Sequence, residues 1–259
     1  MLSKARIKYI KSLQVKKYRQ LEQRFVVEGA KTVLELLASD YATECVLSTP
    51  DFLAEYEPEL KRFAGELIEV KPDMLATFGE YHTNNGALAI ARIKPNMPPQ
   101  LTPHDYALVL DDIRDPGNLG TIIRIADWYG IKAVIASAET AELYNPKVLH
   151  ASKGSFTRVP VFYTELTGFL ADVTVPVYGT FLAGDDVHTV PFGKGGMIVI
   201  GNEAHGISAE VEKFVTKKIS IPRYGKAESL NAGVATAVIC DNIRRNIFNH
   251  GEHGGIHRG

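Results

Sequence analysis

Six apolar runs set the outline of this chain. Tyr106–Asp111, Ala133–Ile135, Val159–Phe162, Val175–Gly179, Met197–Ile200 and Ile219–Ile221 alternate with stretches of helical spacing. Near-continuous Val, Ile and Leu runs fit strands covered on both faces, so the alternation predicts a parallel sheet in an α/β fold. Three of the run ends carry polar side chains and glycines where a helix should begin. The first reads Asp111-Asp112-Ile113-Arg114-Asp115-Pro116-Gly117-Asn118, with Arg124 behind it. The second is Gly201-Asn202-Glu203-Ala204-His205-Gly206, and the third is Ile221-Pro222 followed by Ser229-Leu230-Asn231. In an open parallel sheet the carboxyl edge of the strands is where ligands bind, which makes these three ends the candidate site.

Residues 1–94 read as a smaller α/β layer. Ser3 is placed to cap a helix bearing Ile7, Ile10 and Leu13, and Phe25–Val27 reads as a strand before a helix over Lys31–Ala38. Further strands are expected at Cys45–Leu47, Leu67–Val70 and Ala87–Ile90. Pro95, Pro98, Pro99 and Pro103 forbid a helix or a central strand, which marks a semi-rigid linker over 95–105. The second domain then covers 106–248, and a Gly- and His-rich tail, 249–259, is expected to be flexible.

The formal net charge of −1 hides an uneven distribution. Residues 1–24 hold Lys4, Arg6, Lys8, Lys11, Lys16, Lys17, Arg19 and Arg24 against the single acid Glu22. Two readings fit such a cluster: contacts to nucleic-acid phosphates or a solvated helix face. The residues named for RNA contact are Lys4, Lys8, Lys11, Lys16, Lys17 and Arg19, with Arg244 and Arg245 near the C-terminus. Cys45 and Cys240 are isolated and the eight histidines are scattered, so no disulfide framework and no metal are expected. No apolar run reaches membrane-spanning length and the basic opening runs straight into patterned sequence, so the expected location is the cytoplasm. Neither a GxGxxG at a first strand nor a GxxxxGK[ST] is present.

Each motif carries local expectations. Asp115–Asn118 forms a turn in which Asn118 caps the next helix, expected over Asn118–Tyr129. Arg124 lies on that helix, buried near its start and facing the strand edge with Asn118, where a cation is unfavourable unless it serves a ligand. Gly201 and Gly206 allow close backbone approach, and Ser208 caps a helix over Ala209–Lys217. Ser229 opens and caps a long last helix, Ser229–Phe248, whose first amides suit a carboxylate. His205 is expected to face solvent.

Together, in this order and at these intervals, the three motifs resemble those of the SpoU-type RNA ribose 2′-O-methyltransferases of the SPOUT superfamily. The resemblance covers about residues 106–246. It implies a C-terminal trefoil knot, S-adenosylmethionine bound in that knot, and a homodimer whose active site draws on both subunits. Residues 1–94 look like the L30e-like RNA-binding domain found in several such enzymes, most clearly at Arg24–Gly29 followed by Lys31. Carried over, the family roles make Arg124, Asn118, Glu203, Ser229 and Asn231 catalytic. The cofactor would lie along Thr180, Leu182, Ala183, Gly184, Ile200, Gly201, Asn202, Glu203, Ile221 and Leu230.

The implied reaction is methyl transfer to a ribose 2′-hydroxyl, with ribosomal RNA as the expected substrate. Transfer RNA, or a non-catalytic role in ribosome assembly, are the alternatives. A guanidinium keeps its proton at neutral pH, so Arg124 is expected to stabilise a developing alkoxide rather than act as a base. Ala232-Gly233 replaces a pair that many relatives read as Val-Ser or Val-Ala, and Arg223 stands where Met is common. Gly233 then suggests close packing against cofactor or partner.

Overall fold

The computed structural model describes residues 2–79 and 86–250, the side chains of 247–250 excepted. The expected flexible tail lies outside the described residues from 251 onward. In chain order the first part contains α1 (Lys4–Ser12), α2 (Lys16–Glu22), β1 (Arg24–Glu28), α3 (Ala30–Leu37), β2 (Thr43–Ser48), α4 (Pro50–Glu55), α5 (Glu57–Leu60), β3 (Glu66–Glu69), α6 (Pro72–Leu75) and β4 (Ala87–Arg92). After an extended stretch come β5 (Tyr106–Asp111), α7 (Pro116–Trp128), β6 (Ala133–Ala136), α8 (Pro146–Ser152), β7 (Val161–Tyr163), α9 (Leu166–Ala171), β8 (Val177–Asp186), β9 (Gly196–Gly201), α10 (Ala209–Glu212), β10 (Lys217–Ser220) and α11 (Ala232–His250).

The chain divides into two compact units, and the division is not a single cut at the linker. Residues 1–96 are joined by Glu142–Arg158, while 97–141 and 159–259 form the other unit. The first unit holds a four-stranded sheet in the order β1-β4-β2-β3, with only β2 and β3 parallel. One side is filled by Ile10 of α1 and Leu13 just after it, with Val26, Leu47, Leu88 and Ile90. Ser3 does cap α1, accepting from the Arg6 amide. Phe25 and Tyr41 are packed by Tyr144 and Phe156 from the 142–158 segment, with the Phe25 and Tyr144 ring centroids 4.5 Å apart.

Arg19 locks that segment in place. It is 2% exposed, and its guanidinium meets the Glu142 carboxylate at 2.6 Å while donating to the carbonyls of Leu13 and Gln14 at 3.0 and 2.8 Å. The residue expected to touch RNA is therefore an internal brace, because burying its charge requires this complete set of partners.

The second unit is built on a fully parallel six-stranded sheet in the order β10-β8-β9-β5-β6-β7. Val109, Ile135, Val199, Leu166 and Val211 share one core cluster, and α11 packs against α7 and β9. β8 departs from regular pairing in an informative way. Gly179 pairs with Lys218 and Asp185 with the very next residue, Ile219, so Thr180–Gly184 leave the ladder as a five-residue excursion. A Cβ on Gly184 would stand 2.8 Å from the Lys218 carbonyl, so only glycine allows the chain to rejoin there.

Candidate functional site at the carboxyl edge of the parallel sheet

β5 and β9 are neighbours, and Asp111 pairs with Gly201, so the first two motifs leave the sheet side by side. Asp111 is buried, and its carboxylate accepts from both the amide and the hydroxyl of Ser208 at 2.7 Å. Ser208 thus serves the strand end rather than capping α10, which is only four residues long. Asp112 turns the chain with a φ of +61°, its amide donating to the Ser137 hydroxyl. The carbonyl of Asp112 accepts from the Asn202 side-chain amide at 2.8 Å, which ties the first motif to the second.

The second motif is a tight hairpin. Asn202 and Gly206 exchange both backbone hydrogen bonds, and Gly206 has a φ of +71°. The Asn202 side-chain oxygen accepts from the amides of Ala204 and His205. A Cβ on Gly201 would fall 2.3 Å from the Gly206 carbonyl carbon, so the hairpin closes only over glycine. His205 is exposed.

Three motif side chains then meet. The Asn231 amide donates to the Asn118 side-chain oxygen at 2.7 Å, and the Asn118 amide donates to a Glu203 carboxylate oxygen at 2.6 Å. The Asn231 oxygen meanwhile accepts from the amides of Gly233 and Val234, so Asn231 caps α11. Two capping expectations are corrected by this geometry. Asp115, not Asn118, caps α7 by accepting from the Asn118 amide at 2.7 Å, with Pro116 at the first helical position. Ser229 lies three residues ahead of α11, exposed, and has no part in its cap.

Arg124 is corrected as well. It is exposed rather than buried and makes no hydrogen bond or ion pair with another described residue. Six residues on a helix amount to about 600°, which sets Arg124 about 120° around α7 from Asn118. It lies instead on an outward stripe with Thr121 and Trp128, the latter 83% exposed.

The description of the SpoU rRNA methylase family matches residues 105–241, the stretch that carries all three motifs. The chain belongs to that family. Residues 4–89 match a second description, an MRM3-like substrate-binding domain. The chain is 31% identical to the 23S rRNA (guanosine(2553)-2′-O)-methyltransferase RlmP of Bacillus subtilis, over 92% of this chain and 96% of that relative. Among solved structures it is similar to the SpoU methyltransferase AviRb of Streptomyces viridochromogenes in complex with the cofactor AdoMet, with a TM-score of 0.85, 25% identity and coverage of 95% and 99% of the two chains. It is also similar to a TrmH-family protein from Porphyromonas gingivalis, at 33% identity and a TM-score of 0.83 over the same shares.

For a SpoU protein, the segments named for cofactor contact lie at or just beyond the ends of the neighbouring strands β10, β8 and β9 and at the start of α11. Thr180, Leu182, Ala183 and Gly184 lie in the β8 excursion, Ile200–Glu203 at the end of β9, Ile221 just past β10, and Leu230 just before α11. The excursion's backbone groups are outside the strand ladder, and Leu182 and Leu230 expose apolar surface. Backbone groups set outside the ladder beside apolar side chains suit an adenosyl group with an amino-acid tail, so the residues present fit S-adenosylmethionine. Gly233 packs within its own chain, since a Cβ there would meet the Thr121 methyl at 2.9 Å.

Both cysteines are buried, and burial pushes the Cys240 thiol up to about 12, so it stays protonated. Among the described residues no group of three His, Cys, Asp or Glu could hold a metal ion, and no helix is long and apolar enough to cross a membrane.

The residues named for RNA contact separate by type. Lys4, Lys8, Lys11, Lys16 and Lys17 are exposed and form no ion pair with a described residue. Arg244 is committed elsewhere, donating to the carbonyls of Tyr129 and Gly130 at the end of α7. Arg245 pairs with Asp241 one turn earlier. Sequence reasoning missed Asp111 and Asp115 as the frame of the site, and named Asn202 for cofactor contact without its tie to Asp112. The signal was present in a pair of acids at a strand end and in an Asp directly before Pro.

Proposed function

We propose that this chain transfers the methyl group of S-adenosylmethionine to a ribose 2′-hydroxyl of ribosomal RNA, in the cytoplasm. The observation that carries the reading is the Asn231–Asn118–Glu203 hydrogen-bonded chain beside the β8 excursion, in a member of the SpoU family. When bound, the cofactor supplies a sulfonium methyl group as the electrophile. The excursion, Ile200–Asn202, Ile221 and Leu230 would hold it, largely through backbone groups. Asn118, Glu203, Ser229 and Asn231 would orient the ribose and its phosphate, so that held geometry supplies much of the rate. Arg124, charged, would donate to the 2′-oxygen as negative charge develops.

Because Arg124 lies on the outward Thr121–Trp128 stripe, the reading includes a homodimer in which one copy's Arg124 serves a site it shares with the other. Half-exposed Val234 and the exposed Trp128 support such a contact. The C-terminal trefoil knot belongs to the same reading, supported by β9 lying between the earlier strands β5 and β8.

The test is transfer of a labelled methyl group to separated, unmodified ribosomal and transfer RNA, with the labelled nucleotide then digested out. Label on a 2′-O-methyl ribose of ribosomal RNA is expected. Arg124→Lys should lower turnover at least about 100-fold, the scale of losing one oriented donor, while cofactor binding persists. Near-normal turnover in that variant would refute the role. Absence of both label and cofactor binding in the native chain would leave the non-catalytic assembly factor.

A further inference from the structure

The eight basic residues of the N-terminal segment divide cleanly. Arg6, Arg19 and Arg24 are spent on Glu66, Glu142 and Glu44, whereas all five lysines are exposed and pair with no described residue. Lys4, Lys8 and Lys11 recur at i, i+4 and i+7, which places them along one stripe of α1. Lys16 and Lys17 open α2. The same short helix and the residue that precedes it show three large apolar side chains to solvent: Val15 at 52%, Tyr18 at 41% and Leu21 at 71% exposure. Residues three apart are neighbours on a helix surface, so Tyr18 touches the territory of both Val15 and Leu21. This exposure belongs to a fixed helix, since buried Arg19 bolts α2 to Glu142 and to the carbonyls of Leu13 and Gln14.

We infer that the exposed face of α2 is a stacking platform for unpaired bases of an RNA loop, centred on Tyr18, with the lysines of α1 and α2 holding the flanking phosphates. This inference rests on RNA being the substrate and says which RNA architecture the N-terminal unit selects. Both helices lie within the residues matched to a substrate-binding domain, 4–89. Five unpaired cations on two successive helices, two of them on the same helix as an exposed aromatic ring, call for a ligand that is both polyanionic and rich in flat apolar surface. A single-stranded RNA segment is both. A paired duplex offers the phosphates but keeps its base faces stacked inside. A second copy of this chain would bring lysines against lysines, so self-association through this face is disfavoured.

The experiment measures binding of the full-length chain to two RNAs with equal numbers of phosphates, a hairpin with an unpaired loop and a fully paired duplex, over a range of salt. Tyr18→Ala should weaken hairpin binding about tenfold, the scale of removing one base stack, while leaving duplex binding and the salt slope unchanged. Tyr18→Phe should restore hairpin binding, because stacking needs the ring and not the hydroxyl. Lys16→Ala with Lys17→Ala should weaken both RNAs and flatten the slope by about one unit for each phosphate no longer neutralised.

Hairpin binding unchanged in Tyr18→Ala, or an equal weakening on both RNAs, overturns the inference. A native chain that shows no loop preference but self-associates through Tyr18 overturns it in favour of an interface between copies. Methyl transfer by the native chain is followed in parallel. Its failure removes the enzymatic reading, whereas active native enzyme with an indifferent Tyr18 removes only the platform.

Discussion

Two polar networks in this molecule tie together residues far apart in sequence, and they do so in opposite ways. In the N-terminal unit, Arg19 and Glu142 stand 123 residues apart and meet in the interior, with the guanidinium's donors taken up by a carboxylate and two carbonyls. At the sheet edge, Asn231, Asn118 and Glu203 form an open chain. There Glu203 accepts through one oxygen only, and Arg124 and Ser229 have no partner among the described residues. The closed network fixes how a segment packs. The open one keeps donors and acceptors available for a ligand, and its precision comes from the backbone beneath it: Gly201, the Asn202 hairpin and two helix caps.

The sharpest way to break the comparison is at Arg19. Arg19→Ala should cost about 3–5 kcal/mol, because it strands the Glu142 carboxylate in a site where that side chain is only 17% exposed. Chemical unfolding would measure it, and replacing both partners by apolar residues, Arg19→Met with Glu142→Leu, should recover most of the loss. A loss under about 1 kcal/mol for the single change would mean that water reaches the pair.

At the sheet edge the expected cost to stability is smaller and the cost to chemistry larger. Asn231→Ala should remove the α11 cap, about 1 kcal/mol, together with most methyl transfer. Asn231→Asp separates the two roles. A carboxylate still caps a helix start but cannot donate to Asn118, so stability should hold while turnover falls as far as in the alanine variant. Equal turnover in Asn231→Asp and the native chain would show that the donation to Asn118 is dispensable.

The smallest effect is expected at Gly233. Gly233→Ala gains helix propensity but drives a methyl against Thr121, for a net loss below about 1 kcal/mol. Adding Thr121→Ser, which deletes the blocking methyl, should turn that loss into a gain.

Much of the site was legible because glycines and polar residues at the ends of buried strands have few other uses. The strand ends that carry Asn118, Glu203 and Asn231 could be marked from that alone; the resemblance to the SpoU family singled out these side chains, and the structure joins them by hydrogen bonds. What misled was local redundancy. Asp115 and Asn118 both satisfy the preferences of a helix cap, as do Ser229 and Asn231, and only backbone geometry decides between them. Arg124 was misplaced because its six-residue spacing from Asn118 was read as one face of α7. The burial of Arg19 was invisible for a different reason. Its sequence neighbours Lys17, Tyr18, Gln20 and Leu21 are all exposed, and the partner that takes it out of solvent lies beyond the linker in sequence. Strand positions were mostly legible from apolar runs, but the β8 excursion was not, since its departure and return are defined by pairing with β10.

The joining of Glu142–Arg158 to the first unit has a consequence for inheritance and for the bench alike. The stretch recognisable as a substrate-binding domain, residues 4–89, is not the stretch that closes its own interior. Cut at the linker, it would leave Phe25 and Tyr41 without the rings of Tyr144 and Phe156, and Arg19 without its anion. A graft of this domain onto another methyltransferase must therefore carry seventeen or so residues from the middle of the catalytic sequence. The boundary along the gene and the boundary in space belong to different objects, and recombination that respects only the first would transplant an unfinished one.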